Sequence, residues 1–311
     1  MSLSEADLLV DRRRLKRQIS LWRAGAIILA VAVIGVAVLR LGHGVWSPDY
    51  IARLNVAGVI VDDQRRLKAL EDAAKDPKVK AIIVRIDSPG GTVAGSEALY
   101  RQIRTVGEKL PVVAVLGQTA ASGGYMTAIG ADWIVAREGT ITGSIGVLMQ
   151  TTDVSGLLQK LGVAMEQIKS SPLKAVPNPF EPLTDDGRRA VKDIIDDTYD
   201  MFVAMVAERR KLDRNAALKV ADGRVYTGRQ ARALGLVDAM GGEEAARAWL
   251  ESERKLARGL VIRDVKITRE DEIWRDLASH LGSLITGKSY LPERLTLDGL
   301  VSLWHPDLGS R

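Results

Sequence analysis

Two glycine-rich turns restrict the folds open to this chain more than any other feature. Each closes an apolar run and opens a helix-forming segment. The first, Asp87-Ser-Pro-Gly-Gly91, follows K-A-I-I-V-R-I at residues 80–86. The second, Thr119-Ala-Ala-Ser-Gly-Gly-Tyr125, follows the V-V-A-V-L run after Pro111. Short apolar runs without alternation are the mark of strands buried on both faces, and such strands belong to sheets with helices on both sides. The rhythm continues along the chain. Strands are expected at 54–61, 80–86, 111–116, 133–136 and 163–168, with an edge strand at 260–267. Helices are expected at 62–74, 93–109, 123–131, 154–161, 184–211 and from Gly242 to about 255. The fold class is therefore α/β.

The second turn places Ser122 at the first turn of a helix, where backbone N–H groups lack partners and the dipole is positive. A nucleophilic serine suits that place; so does a serine that merely caps the helix. Pro-Gly-Gly lets N–H groups point outward with no side chain in the way. The N–H of Gly91, paired with that of Gly123 after the serine, could form an oxyanion hole. The serine needs a base. There is no cysteine, and the three histidines, His43, His280 and His305, all lie outside residues 50–265. A Ser/His/Asp triad and a multi-histidine or thiolate metal site therefore lack material. Lysine remains, provided burial lowers its proton affinity. Lys174 lies between Leu173 and Ala175-Val176 in a loop, residues 170–182, that carries four prolines. Lys169 is its nearest rival, and Ser144, in the turn Thr142-Gly-Ser144, could orient the lysine.

The first 23 residues hold six basic and three acidic side chains, a local +3 of the chain's net +5, so the other 288 residues carry only +2. That balance gives no reason to expect nucleic-acid binding. Residues 24–39 (A-G-A-I-I-L-A-V-A-V-I-G-V-A-V-L) follow without a charge, a helix of roughly 24 Å. Trp22, Trp46 and Arg40 suit the two interfaces of a bilayer, and the preceding basic residues predict a cytoplasmic N-terminus. A cleaved signal peptide is the rival, but no clean A-x-A site follows and the basic region is long. The expected organisation is a basic flank at 1–23, a transmembrane anchor at 24–41, a linker at 42–52, a catalytic domain at 53–267 and a C-terminal extension at 268–311 of unknown role.

Five motifs in order, R-I-D-S-P-G-G-T-V, A-A-S-G-G-Y, T-G-S-I-G-V, I-K-S-S-P-L-K and D-G-R-V-Y-T-G-R-Q-A-x-x-L-G-L-V-D, resemble the signal peptide peptidase A family over residues 53–255. The resemblance implies a ClpP/crotonase-like fold of stacked βαβ units and a serine peptidase with a Ser/Lys dyad. By motif position it assigns Ser122 as nucleophile, Lys174 as general base, Gly91 and Gly123 as oxyanion donors and Ser144 as the lysine-orienting hydroxyl. It implies no cofactor and no metal. It also implies a homo-oligomeric, membrane-facing ring in which neighbouring protomers supply serine and lysine, with signal-peptide remnants or other membrane-associated apolar peptides as substrates. A protease that processes one specific membrane protein is the alternative within that class. A crotonase-like acyl-CoA enzyme is the alternative outside it, and would be soluble and would not need Ser122.

Residues 272–285 have the apolar spacing of an amphipathic helix. Gly282-Ser-Leu-Ile-Thr-Gly-Lys-Ser289 matches the P-loop expression but follows a helical pattern rather than a strand, so nucleotide binding is not expected.

Overall fold

The computed structural model describes residues 22–31, 33–34, 48–267 and 301–303. Residues 1–48 and 49–311 form two separate units. In the first unit a helix, α1, is described at 22–31 and 33–34, with exposed Ile27, Ile28, Leu29 and Ile34. Among the described residues no helix is long and apolar enough to cross a membrane. The rest of the expected span, 35–41, lies outside them, as do the expected helix at 272–285 and the P-loop-like sequence.

In the second unit strands and helices alternate as β1 (Tyr50–Ala57), α2 (Gln64–Lys75), β2 (Val79–Ser88), β3 (Gly90–Thr92), α3 (Val93–Gly107), β4 (Val112–Ala121), α4 (Gly123–Ala128), β5 (Trp133–Ala136) and β6 (Ile141–Gly143). There follow α5 (Ser155–Lys160), α6 (Asp185–Arg210), α7 (Arg214–Val220), β7 (Val225–Thr227), α8 (Gly228–Ala233), β8 (Ala239–Met240), α9 (Glu243–Ser252), β9 (Val261–Asp264) and β10 (Val301–Leu303). The main sheet runs β7-β6-β4-β2-β1-β9, and β5 joins β4 to β8. All its pairs are parallel except β6 with β7.

The pleat divides the core. Ile82, Val84 and Ile86 of β2 point to one face, with Leu54 and Val56 of β1 and Ala114 and Leu116 of β4. Leu70 of α2, Leu99 and Ile103 of α3 and Phe202 of α6 cover that face. Ala81 and Ile83 point to the other face with Ile51, Val113 and Val135, under Ala246 and Leu250 of α9. Trp249 of α9 stacks on Trp133 at 5.4 Å between ring centroids, a geometry worth about 0.5–1.5 kcal/mol beyond burial. Both faces of the sheet are thus covered, as the unbroken apolar runs require.

The long helix α6 runs between two capping devices. The Thr184 hydroxyl accepts from the Gly187 N–H, and Lys211 ends the helix in the left-handed region. Its buried stripe is Thr198, Phe202, Val203 and Val206; Ile194 faces solvent.

Three expectations need correction. β1 begins at Tyr50, inside the expected linker, because Tyr50–Arg53 pair with Val261–Asp264. Residues 163–168 form no strand. Val163, Met165 and Ile168 are exposed, and an apolar run becomes a strand only with a neighbour to pair. The helix after Ser122 stops at Ala128 rather than 131.

Candidate active site

Register brings the candidate residues to one edge of the sheet. Ser88 of β2 lies opposite Ala120 of β4, and Ala120 lies opposite Thr142 of β6. Two residues beyond these positions, just past the ends of the three strands, stand Gly90, Ser122 and Ser144. The carboxyl ends of parallel strands are where open α/β sheets bind ligands.

Ser122 follows β4 and precedes α4. Its N–H donates to the Gly143 carbonyl at 2.8 Å, and its carbonyl accepts from Met126 N–H at 2.9 Å. Its backbone sits at φ 55°, ψ −118°, and its side chain makes no capping hydrogen bond. The residue is 1% exposed. A capping serine would have extended backbone and an oxygen turned to the helix N–H groups; this one has neither. Five described non-glycine residues have positive φ: Ser122, Ser144, Ala175, Lys211 and Lys255. Lys211 ends a helix, but Ser122, Ser144 and Ala175 are the serine, the proposed orienting hydroxyl and the neighbour of Lys174. Strain of this kind persists only where the surroundings enforce it.

Those surroundings can be named. Gly124 of α4 lies so close to β2 that a Cβ there would be 2.9 Å from the Ser88 carbonyl oxygen. The phenol of fully buried Tyr125 donates to the Leu236 carbonyl at 2.9 Å, and burial raises its proton affinity. Arg209 of α6 donates to the carbonyls of Ile129 and Ala131 at 2.8 and 2.9 Å, closing the C-terminal end of α4. Arg210 holds Asp238 at 2.6 Å, while Asp238 accepts from Ile134 N–H. Sequence reasoning missed both arginines. Their only signal is a basic pair in the last turn of a helix, which also suits a solvated helix end.

The first glycine turn packs beside the serine. The Ser88 hydroxyl, fully buried, bridges the amide and carbonyl of Gly90 at 3.1 and 3.2 Å. Asp87 accepts from Thr119 N–H, tying the two turns together. The Gly90 carbonyl and Thr92 N–H both bond to Ile60, each at 2.8 Å. By the alternation of a strand, the amide and carbonyl of Gly91 therefore face the opposite edge. A Cβ on Gly91 would lie 1.8 Å from the Ile60 oxygen, so only glycine allows this approach. Gly123, the other proposed donor, opens α4 directly after Ser122.

On the other side of Ser122, the Ser144 N–H donates to the Arg224 carbonyl at 2.8 Å, and β6 pairs with Val225–Thr227. The D-G-R-V-Y-T-G-R-Q motif is thus a brace for the Thr-Gly-Ser turn. Its own helix α8 is held by a reciprocal cap between Thr227 and Gln230.

Lys174 stands differently. It lies in a turn, its N–H donating to the Ser171 carbonyl at 3.1 Å, and in the single chain its side chain is exposed. Lys169 is half-buried and ion-paired with Glu181, whose carboxyl is held below its usual range by that hydrogen bond. Around this loop Leu157, Leu161, Val163, Met165, Ile168, Leu173 and Phe180 are all exposed.

Comparison with known proteins accords with this arrangement. Residues 104–257 match the model of peptidase family S49. The chain is 44% identical over 201 residues to the putative protease slr0021 of Synechocystis, covering 64% of this chain and 72% of that one. It is 36% identical over 230 residues to a putative signal peptide peptidase SppA of Enterococcus faecium, covering 70% and 67%. It is 38% identical over 175 residues to Protease 4 of Salmonella typhi, covering 55% of this chain and 28% of that one. A covered parallel sheet, a strained buried serine at its edge and this similarity agree, and the chain belongs to peptidase family S49 as an SppA-type serine peptidase.

Proposed function

We propose that the protein is a membrane-anchored endopeptidase that cleaves signal-peptide remnants and other apolar, membrane-associated peptides with a Ser122/Lys174 dyad. The observation that carries the reading is the state of Ser122: buried, held at positive φ beside the Gly-Gly turn, and not used as a helix cap. Neutral Lys174 Nζ takes the proton of Ser122 Oγ as that oxygen attacks the peptide carbonyl carbon. The N–H groups of Gly91 and Gly123 hold the oxyanion, at sites where one donor is typically worth 10²–10³ in rate. The lysinium then protonates the leaving amine as the C–N bond breaks, leaving an ester on Ser122. Water attacks that ester with Lys174 again taking a proton, the acyl group leaves as an acid, and Ser122 recovers its hydroxyl hydrogen. Ser144 orients the lysine.

The exposure of Lys174 in one chain makes assembly part of this reading. A base needs a lysine that is desolvated, and the exposed apolar side chains around residues 157–180 are of the kind that mark an interface. Burial of that loop against a neighbouring copy would dry Lys174 and bring it to the neighbour's serine. The assembly is inferred to be a ClpP-like ring. Residues 24–41 are inferred to be the anchor, with the N-terminus cytoplasmic and the catalytic domain on the other side of the membrane.

The test is labelling of the full chain in detergent with a serine-reactive fluorophosphonate, for wild type, Ser122→Ala, Lys174→Ala and Lys169→Ala. Loss in the first two variants with retention in the third is expected. Loss with Lys169→Ala alone would move the base to that residue. Undiminished labelling of Ser122→Ala would end the peptidase mechanism as written.

A further inference from the structure

Between the end of α5 at Lys160 and the start of α6 at Asp185 lie twenty-four residues in no helix or strand. A loop of that length inside a domain is uncommon and usually functional, and this one carries Lys174. It has no ladder of backbone hydrogen bonds to hold it, so side chains must supply the partners. One side chain supplies most of them. The Nδ2 of Asn178 donates to the Ala175 carbonyl at 2.9 Å and to the Glu181 carboxylate at 2.7 Å. Its Oδ1 accepts from the Gln167 side chain at 3.1 Å and from the Phe180 N–H at 3.0 Å. A primary amide offers two N–H donors and two lone pairs on its oxygen, so every hydrogen-bonding site of Asn178 is used. The two backbone partners also fix which way the amide faces. The Ala175 carbonyl requires the nitrogen, and the Phe180 N–H requires the oxygen.

These bonds converge on the residue beside Lys174. Ala175 has φ 61°, a conformation that an alanine keeps only where its surroundings enforce it, and the bond from Asn178 to its carbonyl is such a restraint. On the near side the Lys174 N–H donates to the Ser171 carbonyl at 3.1 Å. Further out, the Val154 N–H donates to the Pro179 carbonyl at 2.9 Å. Val176 packs so closely on α6 that a Cβ on Gly187 would lie 2.6 Å from Val176 Cγ1. The backbone of Lys174 is thus held within one chain, although its side chain is exposed. Lys169 pairs with Glu181, and its removal would leave all four bonds of Asn178 standing.

We propose that Asn178 is a positioning residue for the reaction: it holds the turn that presents Lys174, so that the base reaches the serine with its backbone already set. The inference rests on Lys174 being the base of Ser122. Proton transfer requires the two groups to meet in hydrogen-bond geometry, and ordering a loop during the reaction would add its entropy to the barrier. A misplacement of about 1 Å can cost on the order of 10²-fold in rate. Freeing the Ala175 carbonyl should therefore slow attack by Ser122 without changing how substrate binds.

The test follows fluorophosphonate labelling of the full chain in detergent over a range of probe concentrations, which separates the limiting rate from the half-saturating concentration. Wild type is compared with Asn178→Ala, Asn178→Asp and Lys169→Ala. Aspartate has nearly the same shape as asparagine and keeps the two accepted bonds, but it loses both donated ones. In both Asn178 variants the limiting rate should fall by about 10- to 100-fold, with the half-saturating concentration and the final labelled fraction unchanged. Lys169→Ala should keep the wild-type rate. Quenched-flow hydrogen exchange, read by mass spectrometry of peptides covering residues 171–181, needs no activity and should be faster in Asn178→Ala. Wild-type limiting rates in both Asn178 variants would overturn the positioning role. So would a smaller labelled fraction at an unchanged rate, which reports lost folding alone. Equal slowing in Lys169→Ala would overturn the assignment to Asn178, and unchanged exchange in Asn178→Ala would overturn the restraint itself. If Ser122 labels in no protein, the dyad reading fails while the exchange data still decide whether Asn178 holds the loop.

Discussion

The backbone of Ser122 offers a direct test of whether this site stores strain. At φ 55° and ψ −118° a residue with a Cβ sits in a sparsely populated region, at a cost of order 1–3 kcal/mol. Glycine adopts it without that cost but loses more conformational freedom on folding, by about 0.5–1 kcal/mol. Ser122→Ala and Ser122→Gly both remove the hydroxyl, so both should abolish labelling. They differ in the Cβ, which alanine keeps and glycine lacks. Taking the difference of the midpoints of the two ranges, Ser122→Gly should be more stable than Ser122→Ala by ~1 kcal/mol. For a domain of this size each kcal/mol moves the midpoint by about 2–4 °C. Urea and thermal unfolding of the full chain in detergent, followed by circular dichroism, measures it. Ser122→Gly equal to or less stable than Ser122→Ala would refute the view that the nucleophile's geometry is imposed by its surroundings.

Other outcomes follow from the same contacts. Gly91→Ala sets a Cβ 1.8 Å from the Ile60 oxygen. β3 must leave Ile60, losing two backbone hydrogen bonds worth about 1 kcal/mol each plus ~1–3 kcal/mol of overpacking; urea unfolding should show the stability loss, and the labelling rate should fall at least 10²-fold. Asp238→Ala takes the carboxylate from the part-buried guanidinium of Arg210, leaving it the Gly235 carbonyl, and takes the acceptor from the Ile134 amide, and should cost ~3 kcal/mol by urea titration. Asp264 is held below its usual carboxyl range by the hydrogen bond from Arg53, aided by Asn55. A lowered folded value means its contribution is complete above the ordinary carboxyl value of about 3.9 and is lost as pH falls through the lower folded value. Hydrogen exchange should therefore show β9 loosening below about pH 4 before β2 does, and Asp264→Asn should remove that pH dependence.

What could be read from the sequence was what local chemistry decides. β5 and the capped helix α6 follow from apolar period and from Thr184, each visible in a short window. The row Gly90–Ser122–Ser144 follows once three strands are known to be parallel, because each turn ends its strand. α7 was missed although Asp213, whose carboxylate accepts from Ala216 N–H, is a cap signal of the ordinary kind. Residues 163–168 were misread because period and composition report what a segment would do with a partner, and the chain supplies none there. Lys174 marks the same boundary. Its surroundings are apolar in sequence yet exposed in one chain, so the role proposed for it as a base would depend on an assembly. The pairing of β10 with β3 spans more than two hundred residues, and no local pattern encodes it.

The register of β1 has a consequence for how the domain is made. β1 is the first strand of the sheet, and one of its neighbours, β9, is the last strand of that sheet to be synthesised; Arg53 and Asp264 are 211 residues apart. Contacts that close so long a loop form late. Until they form, Tyr50–Arg53 present an open row of amides and carbonyls to every other chain nearby. Translation that stops before Val261 would leave a chain with its fold nearly complete and one sticky margin. The four residues of β9 thus act as a seal on the finished domain, and chains interrupted ahead of them should be recovered as aggregates or degradation products.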